Sequence, residues 1–274
     1  MVDGRLIITG HKGFVGKSLV KMAKSRGFDV LFVEGDLLKS DTVSKLRESI
    51  SASDVLVHLA GGFFGSDPKI VEKNTLVSLT VAKLASENPR LKIIYTSTGA
   101  VYGNSGSDPI AESTALNPNT VYGMSKKWGE EIFDYYIPHN QRRLTIFRLP
   151  SIYGPGNEIG VIARFIKSIQ ENDSLSLHGT GTQCRSFLHV EDLCEAILCN
   201  ANSSLVGIFN LSESIPYSIS EIIKILEEQS SFNLINLPLE NPLDSMILDS
   251  SCYRSLTGWV TNRSVKEYIE KQFG

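Results

Sequence analysis

Tyr122 and Lys126 stand four residues apart in the run Tyr122-Gly123-Met124-Ser125-Lys126. On a helix, residues at that spacing share a face, so a phenol and an ammonium can converge on one point. A free phenol titrates at ~10 and is a poor base at neutral pH. Positive charge beside it favours the phenolate, and lowering its pKa by ~3 units takes about 4 kcal/mol of differential stabilisation. A phenol so tuned can accept a hydroxyl proton or return it. Thr96-Ser97-Thr98 lies about 25 positions earlier, at the end of an apolar run, and the Thr98 hydroxyl is a candidate to bond the reacting oxygen.

A second constellation comes early. Thr9-Gly10-His11-Lys12-Gly13-Phe14-Val15-Gly16 follows an apolar run and opens a helical pattern, with glycines at 10, 13 and 16. Such a turn needs unusual φ and lets a pyrophosphate approach the backbone with no Cβ in the way. The free N–H groups and dipole of the helix start then favour phosphate. In a dinucleotide site an acid is expected ~20 positions on, for the ribose hydroxyls. Glu34 lies 24 positions after Gly10, and Asp36 two further. A carboxylate there favours NAD over NADP, although Lys12 argues mildly for NADP. With an oxidised nicotinamide bound, Tyr122 would have two cations beside it, which points to hydride-transfer chemistry.

The elements that must position these groups alternate. Leu6–Thr9, Val30–Val33, Val55–Leu59, Ile93–Thr96 and Leu144–Leu149 read as strands; Val15–Lys24, Asp41–Ile50, Val71–Ser86 and Asn119–Tyr136 read as helices. Short apolar strands alternating with amphipathic helices predict an α/β fold with a parallel sheet covered on both faces. After Tyr153-Gly154-Pro155-Gly156 the rhythm breaks. Val161–Gln170, Val190–Ala201 and Ser220–Gln229 read as helices, Leu175–Leu177 and Ile208–Leu211 as strands. The tail, with prolines at 238 and 242, reads as irregular. The second half is expected to be a lobe built on the sheet.

Bulk properties narrow the classes. A net charge of −3 gives no footprint for nucleic acid. No apolar run approaches the ~20 residues that span a bilayer, and no signal peptide opens the chain, so a cytoplasmic protein is expected. The cysteines at 184, 194, 199 and 252 form no Cys-x-x-Cys pair; Cys194 and Cys199 fall in an apolar helical pattern and read as small core residues. The histidines at 11, 58, 139, 178 and 189 have no ligand spacing, so no metal is expected. His58 and His189 read as packed, hydrogen-bonded residues, and Asp192 as a capping or structural acid. Phe63-Phe64 fits a pocket wall or core equally.

Together these segments resemble the extended short-chain dehydrogenase/reductase superfamily, in its nucleotide-sugar epimerase/dehydratase/ketoreductase branch. The resemblance runs through Thr9–Gly16, Val55–Gly61 (VLVHLAG), Ser97–Gly103 (STGAVYG), the Tyr122/Lys126 pair, Arg148–Gly156 (RLPSIYGPG), Gly179–Asp192 (GTGTQCRSFLHVED), Gly207–Leu211 (GIFNL), and Asp249 with Thr257-Gly258-Trp259. It implies a Rossmann-type doubly wound parallel sheet with a smaller C-terminal α/β substrate-binding lobe. Residues 1–155 plus about 187–212 would bind the dinucleotide, and about 156–186 plus 213–274 the substrate. It implies Thr98, Tyr122 and Lys126 as catalytic, Lys126 also holding the nicotinamide ribose. Cofactor contacts would come from Gly10, Gly13, Phe14, Val15, Gly16, Glu34, Asp36, Leu37, Leu59, Ala60, Gly61, Asn74, Tyr122, Lys126 and Leu149. Thr98, Ser151 and Arg185 would touch substrate, Arg185 gripping its phosphates as a bidentate guanidinium can. NAD (NADP as the alternative), a nucleotide-sugar substrate and a homodimer joined through Val71–Ser86 and Asn119–Tyr136 complete the expectation.

Four departures from that pattern stand out. Gly99-Ala100 follow Thr98 where the dehydratases carry acid, which argues against water expulsion. Ser151 replaces a substrate-contacting asparagine. Leu237–Leu248 lacks the second phosphate-gripping arginine. Val30–Leu37 compresses what are usually two strands and a helix. The leading expectation is redox chemistry at C4 of a nucleotide-activated sugar, an epimerase slightly ahead of a 4-keto-6-deoxy nucleotide-sugar reductase. A reductase of a non-nucleotide carbonyl compound and a non-catalytic NAD(P)-binding regulator are the alternatives.

Overall fold

The computed structural model describes residues 4–62, 69–104, 106, 108–137, 143–239 and 245–274. In chain order the elements are β1 (Leu6–Thr9), α1 (Phe14–Ser25), β2 (Val30–Phe32), α2 (Ser40–Ser49), β3 (Val55–His58), α3 (Lys69–Glu87), β4 (Lys92–Thr98), a 3-10 turn (Gly99–Tyr102), α4 (Val121–Tyr136), β5 (Leu144–Leu149), β6 (Ser151–Tyr153), α5 (Val161–Asn172), β7 (Ser174–His178), β8 (Cys184–Arg185), β9 (Phe187–His189), α6 (Val190–Ala201), β10 (Gly207–Asn210), β11 (Tyr217–Ser218), α7 (Ile219–Gln229), β12 (Asn233–Leu237), α8 (Ser251–Thr257) and α9 (Val265–Phe273).

The chain forms two compact units. The first comprises Met1–Gly103, Thr114–Arg148 and Leu193–Phe209; the second comprises Asn104–Ser113, Leu149–Asp192 and Asn210–Gly274. In the first, β1 and β3 are buried at every position, as strands covered on both faces must be. Six strands run in the order β10-β5-β4-β3-β1-β2. β1 pairs in parallel with both β2 and β3, and β3 with β4. This is the expected Rossmann-type doubly wound sheet. The chain winds outward from β1 in one direction to β2 and in the other to β3, so the crevice beyond the carboxyl ends of β1 and β3 is the topological switch point. At the opposite ends of those strands, Asp54 ties β3 to β1, accepting from the Arg5 backbone N–H (2.9 Å) and its guanidinium (2.9 Å). The core joins Ile7, Leu56, Ile93 and Ile146 from the strands to Val77, Val81, Leu84 and Phe133 from α3 and α4. Each such buried side chain contributes about 1.5–3 kcal/mol.

The second unit is made of small pieces: β6 with β9 and β7 with β12 in parallel, β8 with β11 antiparallel. Ile162, Ile166 and Ile169 of α5, Ile222, Ile223 and Leu226 of α7, and Val265 and Ile269 of α9 close over Leu175, Leu177 and Phe187. Two expectations need correction. The tail is not irregular, because it carries β12, α8 and α9. Cys199 is exposed, while Cys194 is fully buried five positions earlier on α6. Residues five apart on a helix are rotated by more than a hundred degrees, so one face cannot bury both. Phe63, Phe64 and His139 lie outside the described residues, as do positions 240–244 of the Leu237–Leu248 segment.

Candidate active site

The glycine loop is built around Thr9. Its hydroxyl accepts from the Leu59 and Ala60 backbone N–H groups (3.1 and 3.2 Å), which uses both lone pairs. Its one proton therefore goes to His58 Nδ1, 2.8 Å away. That fixes His58 as the neutral Nε2–H tautomer, and burial, aided by the Lys126 charge, pushes its pKa down to about 3. His58 is packed against Tyr95 and Phe133 and is not a base. The bonding draws Gly10 and Ala60 together: a Cβ on Gly10 would lie 2.8 Å from Ala60 N, and its φ of +71° is the left-handed conformation that glycine tolerates. Gly16 is needed for the same reason, since a Cβ there would lie 2.2 Å from Gly10 O.

α1 begins at Phe14 behind Gly13, with no side-chain cap and no acid in its first turn. A helix start left in this state is suited to an anion. Phe14 and Val15 are half-buried beside it, and Gly61 is exposed next to half-buried Leu59 and Ala60. These residues fit the pyrophosphate and adenosine ribose of a dinucleotide. Glu34, after β2, is exposed and paired with Lys12 (2.9 Å) and His11 (3.2 Å) of the loop, and the Lys12 hydrogen bond holds its carboxyl below the usual range. Lys12 is thus neutralised by the acid that was expected to compete with it. Asp36 is exposed and accepts from Leu38 N (3.0 Å), and the Leu37 side chain is packed in the core.

From Gly61 the site continues without a break. Asn74 on α3 accepts from Gly62 N (2.7 Å) and donates to Gly62 O and to Ser125 Oγ (both 3.0 Å). A Cβ on Gly61 would lie 3.3 Å from Asn74 Oδ1 and 3.7 Å from Lys126 Nζ. Asn74 thereby ties the end of β3 to α4. Thr120 starts α4 by accepting from Gly123 N (3.0 Å). Two more glycines let α4 settle against β4 and its turn. A Cβ on Gly123 would lie 2.5 Å from Ala100 O, and one on Gly129 2.3 Å from the Tyr95 hydroxyl.

The structure brings Thr98, Tyr122 and Lys126 together. Thr98 and Tyr122 share a hydrogen bond through their hydroxyls. Lys126 is buried; its ammonium donates to Thr96 O (2.8 Å) and lies 4.8 Å over the Tyr95 ring. The electrostatics depart from the expectation. Burial pushes the Tyr122 phenol up to about 12, against the pull of Thr98, and pushes Lys126 down to about 8. The protein's own groups do not by themselves bring the phenol toward neutrality. Leu149, the last residue of β5, is buried. In the second unit, Ser151 is exposed on β6 and Arg185 half-buried on β8.

Sequence reasoning missed a buried network beneath this seam. Glu130 accepts three hydrogen bonds from Arg148 (2.7–3.2 Å) and one from Ser97, and Arg148 also donates to the Tyr102 hydroxyl (2.8 Å). The signal was present as the repeat Tyr122, Lys126, Glu130 at i, i+4 and i+8.

Residues 6–211 match the model of the NAD dependent epimerase/dehydratase family. The chain belongs to that family. It is an NAD-dependent enzyme of the extended short-chain dehydrogenase/reductase type. It is 27% identical to a putative UDP-glucose 4-epimerase of Methanocaldococcus jannaschii over 97% of this chain and 96% of that protein. It is 24% identical to the dTDP-4-dehydro-6-deoxyglucose reductase of Escherichia coli, over 97% and 95%. Among solved structures, the Thermus thermophilus UDP-glucose 4-epimerase in complex with NAD superposes with a TM-score of 0.86 at 22% identity, covering 97% of this chain and 96% of that one. No helix among the described residues is long and apolar enough to cross a membrane.

Proposed function

We propose that this protein carries out NAD-dependent redox chemistry at C4 of a nucleotide-activated sugar, with net epimerisation as the first reading. The observation that carries it is the shared hydrogen bond of Thr98 and Tyr122 with buried Lys126 one turn further along α4. When bound, NAD supplies the hydride acceptor and a pyridinium charge. The residues do the rest. Lys126 and Tyr122 hold the nicotinamide ribose. Thr98 bonds the sugar hydroxyl oxygen. Tyr122 takes that hydroxyl's proton as the C4–H bond breaks, and gives it back when the carbonyl is reduced. The glycine loop and the first turn of α1 take the pyrophosphate, with Gly61 and Asn74 lining the approach to the nicotinamide end. Arg185 is assigned to the substrate diphosphate and Ser151 to the sugar, which makes the second unit the substrate lobe. A dimer through α3 and α4 is consistent with Leu76, Trp128 and Tyr135, large apolar side chains exposed on those helices.

Dehydration is disfavoured because Thr98 is followed by Gly99 and Ala100 in the 3-10 turn, where neither side chain can expel water. Reduction of a 4-keto-6-deoxy nucleotide sugar is the second reading, favoured by the full-length similarity to the E. coli reductase. One assay separates them. An epimerase interconverts UDP-glucose and UDP-galactose with no net consumption of cofactor. A reductase consumes reduced cofactor stoichiometrically with a 4-keto sugar. Failure of both, across uridine and thymidine sugars, overturns the reading.

A further inference from the structure

Three consecutive residues of β4 each address α4. Thr96 O accepts from Lys126, the Ser97 hydroxyl donates to Glu130, and the Thr98 hydroxyl bonds Tyr122. Tyr122, Lys126 and Glu130 recur every fourth residue on the helix face against the strand. Two of these rungs belong to the proposed chemistry, and the third is unassigned. We infer that Glu130, clamped by Arg148, is a positioning residue that keeps the Lys126 ammonium charged and holds the Thr98–Tyr122 pair in register.

The groups that bear on Lys126 can be named. On α4 they are Tyr122 and Glu130; on β4, Tyr95 beneath the ammonium; on β3, His58, neutral in the tautomer set by Thr9; Arg148 of β5, which also donates to Tyr102, acts through its bonds to Glu130. Burial drives Lys126 toward its neutral form, and the carboxylate opposing this is Glu130. Arg148 keeps its charge under any ordinary condition. Neutralising Glu130 therefore removes the carboxylate that opposes burial at Lys126, and Lys126, unlike Arg148, is able to release a proton. Glu130 has no path to the reacting atoms in this arrangement, because its oxygens are engaged by Arg148 and Ser97. Its influence on chemistry runs through Lys126.

This inference rests on the assignment of Lys126 above, and the test keeps the two apart. The Lys126 side chain is titrated by NMR in isotope-labelled protein, its signal identified by its loss in Lys126→Arg, alongside NAD affinity as a function of pH. Glu130→Gln is expected to lower the Lys126 pKa by about one unit or more and to move the alkaline loss of NAD affinity down with it. Glu130→Asp, which keeps the charge, is expected to stay within about half a unit of the parent. If Glu130→Gln does not fold, the uncharged pair Glu130→Gln/Arg148→Gln is used, and the same downward shift is expected because Glu130 is the charge that acts on Lys126. An unchanged Lys126 titration in a folded variant overturns the inference. If instead the titration shifts but Lys126→Arg and Tyr122→Phe retain full turnover, the charge relationship stands and the catalytic assignment falls.

Discussion

Glu130 of the first unit and Glu213 of the second are both buried carboxylates, and the two are treated in opposite ways. In the first, Glu130 meets a guanidinium in a fork of three hydrogen bonds, a serine hydroxyl, and Lys126 one turn away. In the second, among the described residues, Glu213 meets a phenol, that of Tyr153, and the Val265 backbone N–H as the groups that favour its charge. Arg263 of the same unit is committed to Asp192 (2.6 Å) and Glu191 (2.8 Å). Burial, helped by the Asp192 charge, pushes Glu213 up to about 7. The lesson is that a buried acid takes its character from whether a cation is positioned for it. In the first unit a guanidinium is positioned for Glu130, and in the second Glu213 is held by a phenol and a backbone N–H instead.

The comparison can be broken most forcefully at Arg148. Arg148→Met strands the Glu130 charge and should cost about 3–5 kcal/mol in chemical unfolding at pH 7.5, whereas Arg148→Met/Glu130→Leu should recover most of it. An equal loss in both would mean that packing, not charge, holds the seam. Glu213 comes next. Its pKa is raised in the folded protein, so it contributes stability that is fully present below about 4.5 and lost as pH rises through about 7. A span of that size corresponds to roughly 3 kcal/mol at most. Glu213→Gln should flatten the slope of unfolding free energy over that window, and a slope identical to the parent's would show that Glu213 is paired in solution. The smallest effect compares helix starts. Thr120 caps α4, and Ser218 forms a full capping box with Glu221 on α7. Thr120→Ala should cost about 1 kcal/mol and Ser218→Ala slightly more, read by thermal melts.

The first unit was legible because each signal was local. Thr9–Gly16 sits between a strand and a helix, and Tyr122 and Lys126 are one helical turn apart. What could not be read was long-range: the Thr9 bond to His58, and Arg148 reaching Glu130 across the gap between β5 and α4. Both depend on sheet order. The second unit was less legible because its strands are short; β6 has three residues and β8 two. β12 is mostly exposed and lacks the apolar alternation that marks a strand. α8 buries one side chain, Tyr253, so no periodicity announces it. α9 did carry a signal that went unused. Ser264 followed three places on by Glu267 is a helix-start pattern, and Ser264 does accept from Glu267 N (3.2 Å).

The central claim is that the Tyr122 hydroxyl moves the proton. Tyr122→Phe deletes that one oxygen and leaves the ring to fill its place on α4. Turnover of the nucleotide sugar should fall by roughly 10²- to 10⁴-fold while the melting temperature stays near the parent's. A Tyr122→Phe protein that turns over within about threefold of the parent would contradict the account.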